Sequence, residues 1–274
     1  MSQTVFITGA STGIGHATAL LFQQRGWNVV ATMRSPEKSD LQQLDNVLCL
    51  PLDVTKPEMI SPTIAQAIER FGAIDGLVNN AGYGLVGAFE ACSPEEIRRQ
   101  FETNVFGLMA MTRALLPHFR DRQQGVILNV TSVGGKMALP FYSSYNSTKW
   151  AVEGWSEALQ YELRSFNIRV KLIEPGPIKT DFYGRSINVA SNPELMVYEP
   201  ASQQAIAQLE KISVQSGSAP EVTAQVIYQA AIDRSWRLRY PAGGNAGLLL
   251  GLRKGLPDWL WMPIMRKLVM KSWS

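Results

Sequence analysis

Thr4-Val5-Phe6-Ile7-Thr8-Gly9-Ala10-Ser11-Thr12-Gly13-Ile14-Gly15 is the stretch that decides the fold. Its first five residues form an apolar, β-branched run of strand length. From Ile14 to Arg25 the pattern is helical, closed by Gly26 at a C′ position. Three glycines therefore lie between a strand and a helix. A tight turn there needs backbone angles that only glycine tolerates. It also lets a phosphate approach the helix N-terminus, where unpaired N–H groups and the helix dipole favour negative charge. Gly9, Ser11, Thr12, Gly13, Ile14 and Gly15 are read as a pyrophosphate cradle.

Outward from this stretch, strands and helices alternate. Strands are predicted over 27–32, 47–50, 74–78, 125–130 and 168–173. Helices are predicted over 57–71, 94–101, 105–122 and 145–166, the second opened by Ser93 as N-cap with Pro94 and two acids behind it. The rhythm breaks between Pro175 and about Ala219, a long loop carrying one helix near 202–213. A helix over 220–232 and a strand over 236–240 follow. Continuous apolar strands are buried on both faces, which calls for a parallel sheet covered by helices. The expected fold is a single-domain α/β, Rossmann-type doubly wound sheet. Residues 1–245 form that domain, including the loop 177–218, and 246–274 form a helical extension packed on it.

Composition narrows the function. The chain has 274 residues, 46% hydrophobic and 18% charged, enough for a large core and unlike a disordered chain. Two cysteines without a CxxC and two histidines speak against a disulfide scaffold or a metal site. A net charge of +3, with dispersed basic residues, speaks against nucleic-acid binding. A signal peptide needs a basic start and a longer apolar stretch than Thr4–Thr8. The expectation is a soluble cytoplasmic protein.

In a doubly wound sheet, ligands bind beyond the carboxyl ends of the strands. Asp53-Val54, Asn79-Asn80-Ala81-Gly82 and Thr131-Ser132 are expected there. The second strand ends at Ala31-Thr32-Met33-Arg34, the corner that meets an adenosine ribose. NAD binding uses an acid at this corner, whereas Arg34 suits the 2′-phosphate of NADP(H). Glu37 and Asp40 lie nearby, so NAD(H) stays open as a second cofactor. Tyr145 and Lys149 are four apart, on one face of a helix. A phenol has an ordinary pKa near ~10, and a neighbouring ammonium favours its ionised form. At ~4 Å and an effective dielectric near 20, one such charge contributes roughly 4 kcal/mol before screening. Beside a nicotinamide, such a pair works as a general acid/base, with Ser132 placed to hydrogen-bond a substrate oxygen.

Together these pieces resemble a classical short-chain dehydrogenase/reductase. The likeness rests on Thr8 to Gly15, Asn79-Asn80-Ala81-Gly82, Asn104, Ser132, Tyr145-Asn146-Ser147-Thr148-Lys149 and Pro175-Gly176, in family order, and covers residues 4 to about 240. It implies a catalytic tetrad of Asn104, Ser132, Tyr145 and Lys149. In it Tyr145 transfers the proton, Ser132 orients the substrate oxygen, Lys149 also binds the nicotinamide ribose, and Asn104 holds a water of a proton relay. It adds Pro175, Gly176, Ile178 and Thr180 as neighbours of the nicotinamide. Ser132-Val133-Gly134-Gly135, Leu139-Pro140-Phe141 and Ala31 to Arg34 look like the 17β-hydroxysteroid and retinol dehydrogenase branch, which handles lipophilic alcohols and ketones. A basic residue common in the glycine loop of other NADP users is absent, with Thr12 in its place, so cofactor choice rests on Arg34.

The expected activity is NADP(H)-dependent hydride transfer to or from a lipophilic alcohol or carbonyl compound. Val133, Gly135, Leu139, Phe141, Tyr142, Phe182 and Tyr183 are the expected walls of the substrate pocket, with Ser132 and Tyr145 at its reactive end. Two rivals are a non-catalytic NAD(P)-sensing protein, which has no need for Tyr145 and Lys149 together, and a sugar-nucleotide epimerase or dehydratase, which has a different glycine spacing. The tail from Leu248 to Trp273 mixes Leu, Met and Trp with Arg253, Lys254, Arg266, Lys267 and Lys271, and Pro257 and Pro263 are expected to cut it into short helices. The favoured reading packs it over the substrate opening or a neighbouring subunit; the other lays it on a membrane surface. By analogy the protein pairs as a homodimer or homotetramer through helices over 105–122 and 148–166.

Overall fold

The computed structural model describes residues 2–179, 184 and 186–270. Seven parallel strands form the main sheet. In chain order they are β1 (Thr4–Thr8), β2 (Asn28–Met33), β3 (Val47–Pro51), β4 (Gly76–Asn79), β6 (Gly125–Val130), β7 (Ile168–Pro175) and β9 (Arg239–Ala242). A separate short pair joins β5 (Gly84–Val86) to β8 (Ile187–Val189). The helices are α1 (Gly13–Gln24), α2 (Pro57–Phe71), α3 (Pro94–Phe101), α4 (Leu108–Asp121), α5 (Ser143–Leu163), α6 (Glu199–Ser216), α7 (Pro220–Ile232), α8 (Ala246–Gly255) and α9 (Asp258–Val269).

The spatial order of the main sheet is β3-β2-β1-β4-β6-β7-β9. The order reverses direction between β1 and β4, so their carboxyl ends flank the crevice of a doubly wound sheet. Side-chain alternation divides each apolar strand between two cores. Val5, Ile7, Val29 and Ala31 face one layer with Phe22 of α1 and Ile227 of α7. Phe6, Val30, Leu77 and Ile127 face the other, with Ile64 of α2, Leu115 of α4 and Leu159 of α5. Buried amides join strands to helices within the second layer. Asn79 donates to Thr112 at 3.0 Å and to Asn129 at 2.9 Å, and Asn129 donates to Ser156 at 2.9 Å.

Several expected boundaries move. The helices over 94–101 and 105–122 are one continuous rod, because α3 passes through a π-helical turn at Glu102–Gly107 into α4. Such turns recur at functional sites, and this one carries Asn104. Ser93 caps α3 through a reciprocal box with Glu96. The last strand starts at Arg239, not 236, and ends at Ala242. Pro257 precedes α9, but Pro263 sits inside it without ending it. Its missing N–H costs one intrahelical bond, and the helix is held by burial of Trp261, Met265 and Val269. The pair β5 and β8 went unread because three-residue strands carry too little periodicity. No helix among the described residues is long and apolar enough to cross a membrane.

Candidate active site

The carboxyl end of β1 turns at Gly9, with φ +67°, and α1 starts at Gly13, with φ +58°. Both angles favour glycine. A side chain on Gly15 has no room either, since its Cβ would lie 2.3 Å from the Gly9 carbonyl oxygen. The first turn of α1 carries no acid and no side-chain cap. Its N–H groups are thus left for an anion, as the phosphate reading requires. The side-chain amide of Asn80 braces the loop, donating to the Thr8 and Gly9 carbonyls at 3.0 and 2.9 Å. Thr8 completes the clamp by accepting from the N–H groups of Asn80 and Ala81 at 3.0 and 3.1 Å.

Arg34 follows the last residue of β2 and is exposed, with no acidic partner among the described residues. Of the two acids near it, Asp40 is engaged by His16 at 2.9 Å, a hydrogen bond that holds its carboxyl below the usual range. Asp53 accepts from the N–H and hydroxyl of Thr55 at 3.0 and 2.7 Å, and Val54 packs in the core.

Tyr145 lies in the first turn of α5 and Lys149 one turn later, as the spacing requires. The Lys149 ammonium is 5.7 Å from the centroid of the Tyr145 ring. It donates to the Val130 carbonyl at 3.0 Å, which ties α5 to the carboxyl end of β6. Burial pushes its pKa down to about 8, with the Glu153 carboxylate opposing the shift. Ser132 stands just beyond β6 and accepts from the Gly134 N–H at 3.0 Å. A Cβ built on Gly134 would lie 3.3 Å from Ser132 Oγ and 3.6 Å from Tyr145 Cε1. Ser132 Oγ and an edge of the Tyr145 ring therefore flank the same spot beside Gly134.

Asn104 is buried behind them. Its amide accepts from the Tyr83 N–H at 3.1 Å and donates to the Tyr83 carbonyl at 2.9 Å and the Thr148 hydroxyl at 3.1 Å. The side chain thus ties the loop after β4 to α5.

The expected substrate residues separate into two groups. Val133 and Tyr142 share a buried apolar cluster with Tyr145, and Leu139 and Phe141 pack against it. Tyr142 meets the Tyr145 ring edge-on at 6.1 Å. Gly135, by contrast, is pressed against α5, where a Cβ would lie 2.9 Å from Glu153 Cγ and 3.2 Å from the Lys149 carbonyl. It is a packing position, not a pocket wall. Ile178 is buried and forms a bridge with Ser218, and Gly176 packs against Gly243 and Gly244. Thr180, Phe182 and Tyr183 lie outside the described residues, as do Lys271 and Trp273 of the tail. Ala246, Trp261, Met265 and Val269 belong to the same cluster as Tyr145, together with Ala205 and Leu209 of α6.

Under Lys149 lies a charged group that sequence reading missed. Glu153 accepts from the Thr131 hydroxyl at 2.7 Å and from Arg239 at 3.2 Å, with Lys136 at 3.7 Å. Arg239 also lies 3.6 Å from Glu174 and 2.6 Å from Glu157. The signal was present in part, since Tyr145, Lys149 and Glu153 repeat every four residues along one face. Burial, and then the charge of Glu153, push Glu174 up to about 7. A carboxyl with its folded pKa raised costs stability as pH climbs from its unfolded value near ~4.5 through 7. Glu174→Gln should therefore match the parent at pH 4.5 and gain at pH 8, by roughly 2 kcal/mol at the higher pH. Thermal melts of both proteins at the two pH values check this; a difference that does not widen with pH refutes it.

Among the described residues no group of three or more His, Cys, Asp or Glu is placed to hold a metal ion. The family model for short chain dehydrogenases matches residues 3–189. A 3-ketodihydrosphingosine reductase from Bacteroides thetaiotaomicron is 40% identical over 180 residues, 66% of this chain and 65% of that protein. A short-chain dehydrogenase from Streptomyces avermitilis superposes with a TM-score of 0.81 at 33% identity, covering 96% of this chain and 98% of the other. ElxO, solved with NADP bound, superposes with a TM-score of 0.75 at 26% identity, covering 90% of this chain and all of the other.

Proposed function

The chain belongs to the short-chain dehydrogenase family and is an NAD(P)-dependent oxidoreductase acting on CH–OH groups; from that premise we propose that it takes NADP(H) and interconverts a lipophilic alcohol with its ketone or aldehyde. The observation that carries this reading is that Ser132 Oγ and the Tyr145 ring flank the same spot beside Gly134, with Lys149 buried one turn behind. The NADP preference is supported by Arg34, exposed at the ribose corner without an acid to hold it. The lipophilic substrate is supported by the apolar cluster around Tyr145, walled by Val133, Tyr142, Trp261 and Met265, and by the sphingoid ketone named for a relative.

The glycine loop fits the cofactor, because Gly9 and Gly13 hold angles favouring glycine before an uncapped helix N-terminus. Gly13, Ile14 and Gly15 would hold the pyrophosphate, Arg34 the 2′-phosphate and Lys149 the nicotinamide ribose. When bound, the nicotinamide supplies or accepts the hydride. Tyr145 gives its hydroxyl proton to the carbonyl oxygen during reduction and recovers one from the alcohol during oxidation. Ser132 donates a hydrogen bond to the same oxygen and stabilises the charge growing there. Lys149, as a cation, favours the phenolate that the transfer leaves behind. Thr131, Glu153 and Arg239 keep Lys149 and α5 in place from below. We assign the subunit contact to the face carrying Phe106, Trp150 and Tyr161, large side chains left exposed on the π turn and α5.

Replacing Arg34 with Ala tests the cofactor assignment. A charge-assisted contact to a phosphate contributes about 1.5–3 kcal/mol. The NADPH Kd should rise at least tenfold while that of NADH changes less than twofold, measured by nicotinamide fluorescence. Equal losses for the two cofactors would remove Arg34 from the 2′-phosphate.

A further inference from the structure

The tail has two faces, and only one of them is accounted for by the active site. Trp261, Met265 and Val269 of α9 are buried in the cluster that also contains Tyr145. Around the rest of the helix Trp259 is 73% exposed and Met262 60%, and Leu260, Ile264 and Leu268, spaced by four, form one exposed apolar stripe. The adjoining α8 exposes Leu248 and Leu252. Water-facing apolar side chains this dense on one element mark a surface that meets something else.

Charge identifies what it meets. Between residues 246 and 269 there are four basic residues and one acid, a net of +3 that equals the formal charge of the whole chain. The acid, Asp258, is neutralised by Arg253 at 2.7 Å. Lys254 and Lys267 are exposed beside the apolar residues. A second copy of this chain would set these cations against one another, which opposes self-pairing. An exposed apolar stripe flanked by lysines has the chemistry of a helix lying in the headgroup region of an anionic bilayer.

We propose that α8 and α9 dock the protein on an anionic lipid surface. Leu260, Ile264 and Leu268 enter the acyl boundary, and Lys254 and Lys267 meet the headgroups. The helix lies in the plane of the interface, since its twelve residues span only about 18 Å. Docking sets the cluster around Tyr145 against the membrane through the inner side of the same helix. That consequence for substrate entry rests on the lipophilic substrate proposed above; lipid binding itself does not.

Co-sedimentation of the full chain tests this, with vesicles of phosphatidylcholine alone and of phosphatidylcholine mixed with phosphatidylglycerol. The assay reads no turnover, so its outcome is independent of the proposed reaction. The protein should pellet with the mixed vesicles and much less with phosphatidylcholine alone. The triple variant L260S/I264S/L268S should bind at least tenfold more weakly. K254Q/K267Q changes only exposed side chains and should lose roughly fivefold per lysine on the mixed vesicles. Three results would each overturn the proposal: the parent staying in the supernatant, either variant binding as the parent does, or the triple variant splitting an oligomer on size exclusion, which would give the face to a second copy.

Discussion

Tyr145→Phe should reduce turnover of every accepted carbonyl compound by roughly a thousandfold while leaving NADPH affinity within twofold. A positioned general acid typically contributes about a hundredfold to ten-thousandfold. Phenylalanine keeps the ring that packs edge-on against Tyr142 at 6.1 Å and lies 5.7 Å from the Lys149 ammonium. The substitution removes one hydroxyl and little else, so the fold and the glycine loop stay as they are. Stopped-flow hydride transfer and cofactor titration separate the two effects. Unchanged turnover would take the proton transfer away from Tyr145 and revive a sensing protein as the reading.

Gly15→Ala should be the most damaging single methyl group at the cofactor end. The new Cβ would stand 2.3 Å from the Gly9 carbonyl oxygen and 2.5 Å from the Asn80 amide nitrogen. Both neighbours are pinned. Gly9 is held at a positive φ, and Asn80 is bonded to the Thr8 and Gly9 carbonyls. The loop must therefore move, and with it the N–H groups that face the phosphates. Overpacking of this kind costs about 1–3 kcal/mol of stability, or roughly 5 °C in Tm for a chain of this size. Cofactor affinity should fall much further, by about a hundredfold, because several N–H contacts are displaced together. Calorimetry gives both numbers. A variant that binds NADPH as the parent does would show that the loop is not the phosphate cradle.

Residues differ sharply in how far their neighbours along the chain announce them. Tyr145 and Lys149 are legible because a helical repeat of four residues is all they need to meet. The glycine loop is legible because its demands are local, a turn and a helix start. Asn104 is legible only through resemblance, for its partners are the backbone of Tyr83 and the hydroxyl of Thr148. Gly135 looked like a pocket wall from its neighbours, yet the approach of α5 turns it into a packing position. Asn80 is legible as a residue beyond the fourth strand, but not as the brace of the glycine loop. In both cases the deciding neighbour comes from a different element.

What the chain determined unaided is the alternation of strand and helix, the parallel sheet, the phosphate loop and the Tyr-Lys pair. Each follows from periodicity or from a backbone angle within a dozen residues, and such forces act before any element finds its partner. Tertiary structure alone decided that Arg239 comes back across 86 residues to Glu153 beneath Lys149, and that Trp261 joins the buried cluster that contains Tyr145. Contacts at that range depend on which faces the packed layers present to each other, and burial of apolar surface sets them without leaving a repeat to read.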